Sequence, residues 1–420
     1  MSVGLKNHKQ STSSGVPDSS TDSSSDERPD RHVMIVHRYF WPENISELPL
    51  MFRSIVKQHL ARGQKVTVVT GASQDYTREW SEEFQDQVQF VHFRAANDRN
   101  QRAWQRVVSA TRLLFAALKT LFKRQYELLY VVSYPPLFAG VLLTIARLFR
   151  RANETIFYAQ DLFTYRLPDP ISRKIYQWFT GITVRRASRT ITLSQSMKQQ
   201  LAGYAGKSFP DRRIVVVPNP VSSDAEFLPQ KKQVDIIYAG AHGKAQNLYH
   251  FLESLAATPE DKRPTAAFFG NGTEKSKLQQ VAADLQLNEF VTFTDAVSRE
   301  EVVVEMAKAR YGLVGAVPEL LHFAFPSKLA NYGYAGTPSL MMCDSEGETA
   351  RWLQSSGLGR ALDPVSVDRA AEQLAEVKDG ASDLTSLEMH QLTRTEFGMD
   401  IYLNRLNELL DSIENAQQQD

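Results

Sequence analysis

The sequence predicts an α/β protein built of two doubly wound domains. Three observations carry that prediction. Short β-branched runs alternate with stretches of helical spacing along almost the whole chain. The runs are continuously apolar rather than alternating, as parallel strands covered on both faces require. The 420 residues, 42% hydrophobic and 23% charged, are enough to bury two cores.

Residues 1–30, rich in Ser, Asp and Thr, cannot bury enough surface to offset chain entropy, so a disordered tail without a signal-peptide h-region is expected. Strands are read at 33–37, 66–70, 88–93, 128–133, 155–159, 190–193 and 214–217 in the first half. The second half repeats the pattern at 235–239, 266–269, 291–294, 311–317 and 339–342. The domains are placed at 31–218 and 219–395, joined near Pro218-Asn219-Pro220, and segment 396–420 holds a helix over 396–413. The longest apolar stretches, 107–122 and 137–149, are interrupted by Arg112, Lys119 and Arg147 and fall short of a transmembrane span.

Composition narrows the function further. The single cysteine, Cys343, excludes an intramolecular disulfide framework and a Cys-rich zinc domain, and points to a reducing compartment. The net charge of zero hides an asymmetry: residues 31–200 hold 25 Lys and Arg against 12 Asp and Glu, and residues 201–420 hold 20 against 31. The basic half is the one suited to anionic partners. Between Arg99 and Arg124 lie seven basic residues and no acidic one, interleaved with Trp104, Leu113, Phe115, Leu121 and Phe122. Such a segment suits either the surface of an anionic membrane or a core-covering helix with a solvated basic rim. No recognition motif accompanies the charge, so nucleic acid is not expected as a partner.

Ligands of doubly wound sheets sit at the carboxyl ends of strands. The first strand ends in His37-Arg38-Tyr39, and another ends in Gln160-Asp161-Leu162 with a carboxylate at its tip. In the second half, Gly240-Ala241-His242-Gly243-Lys244-Ala245-Gln246 reads as a strand-to-helix turn whose backbone N–H groups suit phosphate oxygens. In Phe325-Pro326-Ser327-Lys328-Leu329, Pro326 and Ser327 open and cap a helix, which places Lys328 in its first turn. A cation there opposes the helix dipole, which a bound anion would explain and a solvated lysine would also allow.

These motifs together resemble the nucleotide-sugar-dependent, retaining glycosyltransferases of the two-Rossmann-domain architecture, GT-B, in family four, which implies two Rossmann-like domains facing a cleft and a C-terminal helix, 396–420, that crosses back to the first domain. The likeness is greatest to bacterial enzymes of exopolysaccharide and O-antigen assembly. It rests on YFWPE at 39–43, SYPPLFAG at 133–140, QDL at 160–162, PNP at 218–220, GKAQ at 243–246, FFGNGTEKSKL at 268–278 and PSKL at 326–329, in that order. The resemblance implies a hexosyl donor such as a UDP- or GDP-sugar. It implies a glycan or polyprenyl-diphosphate-linked acceptor, a cytoplasmic location at the inner face of the membrane, and no metal or other cofactor. It assigns Gly243, Lys244 and Lys328 to the diphosphate, with Gln246 also on the donor side, and Gly270 and Asn271 to the base pocket. Asn331 goes to the ribose, and Asp161 and His37 to the catalytic, acceptor-facing side.

Departures from the family pattern are equally specific. Phe323 and Asn331 stand where two glutamates are usual, Ala241 and Gln246 replace an Arg and Lys donor clamp, and Asn44-Ile45-Ser46 replaces a glycine-rich loop. They motivate a second reading as a catalytically impaired binding or scaffold subunit. A sugar-nucleotide epimerase of the same architecture is the third.

Overall fold

A computed structural model describes residues 31–42, 48–71, 76–93, 103–132, 136–162, 164, 167, 169–221, 227–318, 327–346, 348–378 and 384–417. The tail at 1–30, the loop 43–47, Arg99, Arg102 and Phe323 lie outside the described residues, as do the side chains of Trp104 and Arg106. Two parallel sheets alternate with helices.

The first sheet contains β1 (His32–Val36), β2 (Lys65–Thr70), β3 (Val88–His92), β4 (Tyr126–Val132), β5 (Ala152–Ala159), β6 (Arg189–Thr192) and β7 (Ile214–Val216). Its order is β3-β2-β1-β4-β5-β6-β7, so the direction of winding reverses between β1 and β4. Connecting helices are α1 (Leu48–Ala61), α2 (Thr77–Phe84), α3 (Ala103–Leu121), α4 (Pro136–Leu148), α5 (Pro170–Arg186) and α6 (Gln195–Ala205). Right-handed crossovers put α1 and α2 on one face and α3 to α6 on the other. β1 is wholly buried, as its uninterrupted apolar run requires.

The second sheet contains β8 (Val234–Ala239), β9 (Ala266–Phe269), β10 (Val291–Thr294), β11 (Ala309–Val314), β12 (Ser339–Met342) and β13 (Gly359–Leu362), in the order β10-β9-β8-β11-β12-β13. Its switch of winding falls between β8 and β11. The helices are α7 (Leu248–Ala257), α8 (Lys275–Asp284), α9 (Arg299–Ala307), α10 (Ser327–Tyr334), α11 (Glu348–Ser356), α12 (Val367–Ala375) and α13 (Ser386–Phe397). Strand β13 is absent from the sequence reading because Gly-Arg-Ala-Leu carries no β-branched residue. It forms at the edge by pairing with β12.

The last helix, α14 (Met399–Gln417), starts three residues later than expected, because the chain breaks at Gly398 after α13. Tyr402, Leu406, Leu409, Leu410 and Ile413 join the core of the first domain, so this helix packs on the domain from which the chain began. Tyr402 shares a 3.0 Å hydrogen bond with Tyr158 of β5. Arg62 holds Asp411 at 2.6 Å, and Arg31 bridges Glu127 and Glu414. Among the described residues no helix is long and apolar enough to cross a membrane.

Candidate functional site

At the carboxyl end of β8 the chain makes two close backbone approaches. Gly240 adopts φ +149°, and a Cβ there would meet Lys328 Cε at 2.6 Å and Nζ at 2.7 Å. Gly270, at the end of β9 with φ +138°, lies against Gly240 so closely that a Cβ would meet its carbonyl oxygen at 2.0 Å. Only glycine tolerates both conditions, the left-handed φ and the missing space. Hydrogen bonds from Gly240 N–H to Phe269 O (2.9 Å) and from His242 N–H to Asn271 O (3.0 Å) fasten the two turns together. The resemblance placed Gly270 and Asn271 at the base pocket and Gly243 at the diphosphate, and the fold sets Gly270 and Asn271 against Gly240 and His242 of that turn.

Lys328 supplies the charge. Its amino group donates to the Tyr238 hydroxyl at 3.0 Å and lies 4.5 Å from the centre of that ring, while the Tyr238 hydroxyl donates to Ala241 O at 2.7 Å. Desolvation pushes the lysine down to about 8, and no carboxylate among the described residues pairs with it. Burial likewise holds the Tyr238 hydroxyl well above its ordinary value. An ammonium held against an aromatic face at a strand end is a site that an anion would improve.

The position of Lys328 is fixed one turn later, by Tyr332. That hydroxyl accepts from Ala239 N–H at 3.0 Å and lies 3.2 Å from Leu313 O and 3.3 Å from Ile237 O, tying α10 to β8 and β11. Its ring fits only because β11 has Gly312 beneath it, where a Cβ would come within 2.2 Å of the ring. Asn331 lies three residues after Lys328, hence on the same side of α10. Sequence reasoning passed over Tyr332. The signal was available in a glycine interrupting a buried strand, which marks a close approach.

The turn after β8 differs from expectation. It is a single 3-10 turn, Lys244–Gln246, and α7 begins only at Leu248. Gln246 Oε1 accepts from Gly243 N–H at 3.1 Å, so this N–H is already satisfied within the turn, and Lys244 is exposed. Ser327 is the first helical residue of α10 rather than the residue before it.

His242 was read only as part of the turn, yet it is fully buried among Tyr238, Phe268 and Phe293 and neither ring nitrogen has a hydrogen-bond partner. Burial first, then the charges of Lys275 and Lys328, push it down to about 4, so it is neutral. Lys275 Nζ binds Gly270 O and Thr294 O, each at 3.0 Å, and Asp295 at 2.6 Å, closing the ends of β9 and β10.

In the first domain, His37 follows β1 at the switch of winding and is buried, with Nδ1 unpaired and its ring 4.9 Å from that of Phe52. Burial pushes it down to about 4. Asp161 follows β5. In register, Val36 of β1 aligns with Val131 of β4 and that residue with Phe157 of β5, so His37 is level with Tyr158 and Asp161 lies three residues farther along, two strands away. Asn219 of the interdomain link donates to Gln160 Oε1 at 2.8 Å, beside Asp161. His59, by contrast, is a satisfied core histidine, paired with Gln64 at 2.6 Å and Tyr130 at 3.0 Å.

Residues 50–225 match the family model of Glycosyltransferase Family 4. That match lies within the first domain. An O-antigen chain mannosyltransferase of Salmonella typhimurium, RfbU, is 27% identical over 164 residues, which are 39% of this chain and 45% of that relative. The chain thus matches less than half the length of this curated relative. Among solved structures, Anabaena HepE in complex with UDP has a TM-score of 0.63 at 14% identity, covering 91% of this chain and 100% of that one. A sucrose-phosphate synthase from Thermosynechococcus elongatus has 0.70 at 11% identity, covering 92% and 100%. The galactosyltransferase WaaB of the lipopolysaccharide outer core has 0.64 at 12% identity, covering 91% and 99%. At these identities the structural likeness establishes the fold, the two-domain GT-B architecture of glycosyltransferases.

Proposed function

We propose that this protein is a glycosyltransferase of cell-surface polysaccharide synthesis. It moves a hexosyl group from a nucleoside diphosphate sugar, the nucleoside being uridine or guanosine, to a glycan or a lipid-diphosphate-linked glycan, with retention of configuration. The observation that carries this reading is Lys328, a half-buried ammonium that has no carboxylate partner among the described residues and is held against Gly240 at the β8/β11 switch. That is where a doubly wound sheet receives a nucleotide. The Salmonella relative's O-antigen mannosyltransferase name and the UDP held by HepE support the same chemistry.

In this reading the diphosphate lies along Gly240 and Lys328, the base near Gly270 and Asn271, and the ribose near Asn331, with Gly243, Lys244 and Gln246 bordering the pocket. The acceptor hydroxyl approaches from the side of His37 and Asp161. Its oxygen bonds to the anomeric carbon as the bond from that carbon to the phosphate oxygen breaks, and its proton passes to the departing phosphate on the same face. Lys328 stabilises the charge that develops on the diphosphate, so the reading calls for no divalent cation.

Calorimetric titration with UDP, GDP and their sugars tests the reading, with Lys328→Ala as the control. Heat of binding that disappears in the variant is expected; no binding of any nucleotide by the native protein would overturn it. A scaffold role is favoured by one observation, the Gln246 side chain folded onto Gly243 in place of a free clamp. Nucleotide binding without transfer to any acceptor would select it.

A further inference from the structure

The outer face of the first domain carries apolar side chains that no part of the described chain covers. On α3 the buried side holds Leu113, Ala117 and Leu121, while Val108 and Phe115, with Phe122 just past the helix end, are spaced seven apart and face outward, Phe115 being 67% exposed. On α4 the outward stripe is Leu137, Val141 and Leu148, the last 72% exposed. On α5 it is Ile171, Ile175 and Trp178, with the indole 59% exposed. Each set has the spacing of one helix face. The helices lie side by side, α3 against α4 and α4 against α5, and Phe122 meets Phe149 edge-on at 5.4 Å. Three neighbouring stripes therefore form one surface, and exposed apolar surface of this extent marks an interaction site.

Charge identifies the occupant. The three helices contain no Asp or Glu. Exposed Lys119 lies one turn after Phe115, and exposed Lys174 one turn before Trp178, so cations flank the apolar stripes. We infer that α3, α4 and α5 together form a docking face for an anionic phospholipid bilayer, the aromatic rings entering the interface and the lysines and arginines meeting the headgroups. The sequence reading confined this to residues 99–124; the folded chain adds α4 and α5 and broadens one helix to a platform. Because these helices start at the carboxyl ends of the strands, the platform reaches the side of the domain where the sheet receives ligands. It is independent of the proposed transfer.

Flotation of the full chain with vesicles tests the inference. Recovery with phosphatidylcholine and phosphatidylglycerol mixtures, much less with phosphatidylcholine alone, and release by salt are expected. The double variant Phe115→Ser/Trp178→Ser should lose binding at least about tenfold. Lys119→Ala and Lys174→Ala should each lose about fivefold. Lys328→Ala should float like the native protein, which separates this surface from the donor site. Circular dichroism guards against unfolding. Failure of the native protein to float with anionic vesicles, native-like flotation of the double variant, or a lipid-free dimer that the double variant dissolves would overturn the inference.

Discussion

The two switch points of winding are built on the same plan and stocked differently. In the first domain, β1 ends in a buried imidazole packed on Phe52, within an overall basic half. In the second, the turn after β8 is built on glycine and receives the half-buried Lys328 from α10, within an overall acidic half. The acidic half can hold an anion because binding depends on a few groups in a desolvated turn, where charges interact more strongly than at the surface. Net charge governs what approaches from a distance.

That contrast can be broken at its strongest point first. Lys328→Ala should lower kcat by at least about 100-fold, the size of losing one preorganised charge stabiliser. His37→Gln should leave donor affinity unchanged and weaken acceptor use. Equal loss of donor binding in both variants would erase the distinction between the ends. Gly270→Ala should cost about 1–3 kcal/mol through backbone strain alone, with more from the collision with Gly240 O. Its thermal midpoint should fall and its stabilisation by UDP should vanish. Tyr332→Phe keeps the ring and leaves Ala239 N–H unpaired, a cost of about 1–3 kcal/mol, and donor affinity should fall with it because α10 carries Lys328.

pH sharpens the comparison from both directions. Lys328, depressed to about 8, loses its charge as pH rises through that value, so donor affinity should fall between pH 7 and 9 in the native protein and hold in Lys328→Arg. His37 and His242, depressed to about 4, stay neutral in the folded protein while the unfolded chain takes up protons near pH 6.5. Stability should therefore fall as pH drops from 6.5 towards 4. His242→Leu removes two unpaired nitrogens from an aromatic pocket. It should stabilise the ligand-free protein by about 1 kcal/mol at pH 7, and by more at pH 5, in urea unfolding.

The sheets were legible because parallel strands buried on both faces need continuous apolar runs, and β1, β8 and β9 have them. Strand β13 was not, since an edge strand can borrow its conformation from a partner. Of the site, the Gly240–Gly243 segment and Lys328 were visible as a glycine turn and a cation misplaced for a helix dipole, whereas Gly270 entered only through the family resemblance. Tyr332 was hidden because its task, joining α10 to β8 and β11, involves residues 19, 93 and 95 positions away and none within its own helix.

By itself the sequence determined the two-domain α/β architecture, the charge division and the candidate turn after β8, all of which are local patterns or sums over composition. Tertiary structure alone decided that Gly270 backs onto Gly240, that Lys328 lies over Tyr238, and that stripes on three helices merge into one face. Those features are distances between segments far apart in the chain. They are set by which faces the winding of each sheet brings together.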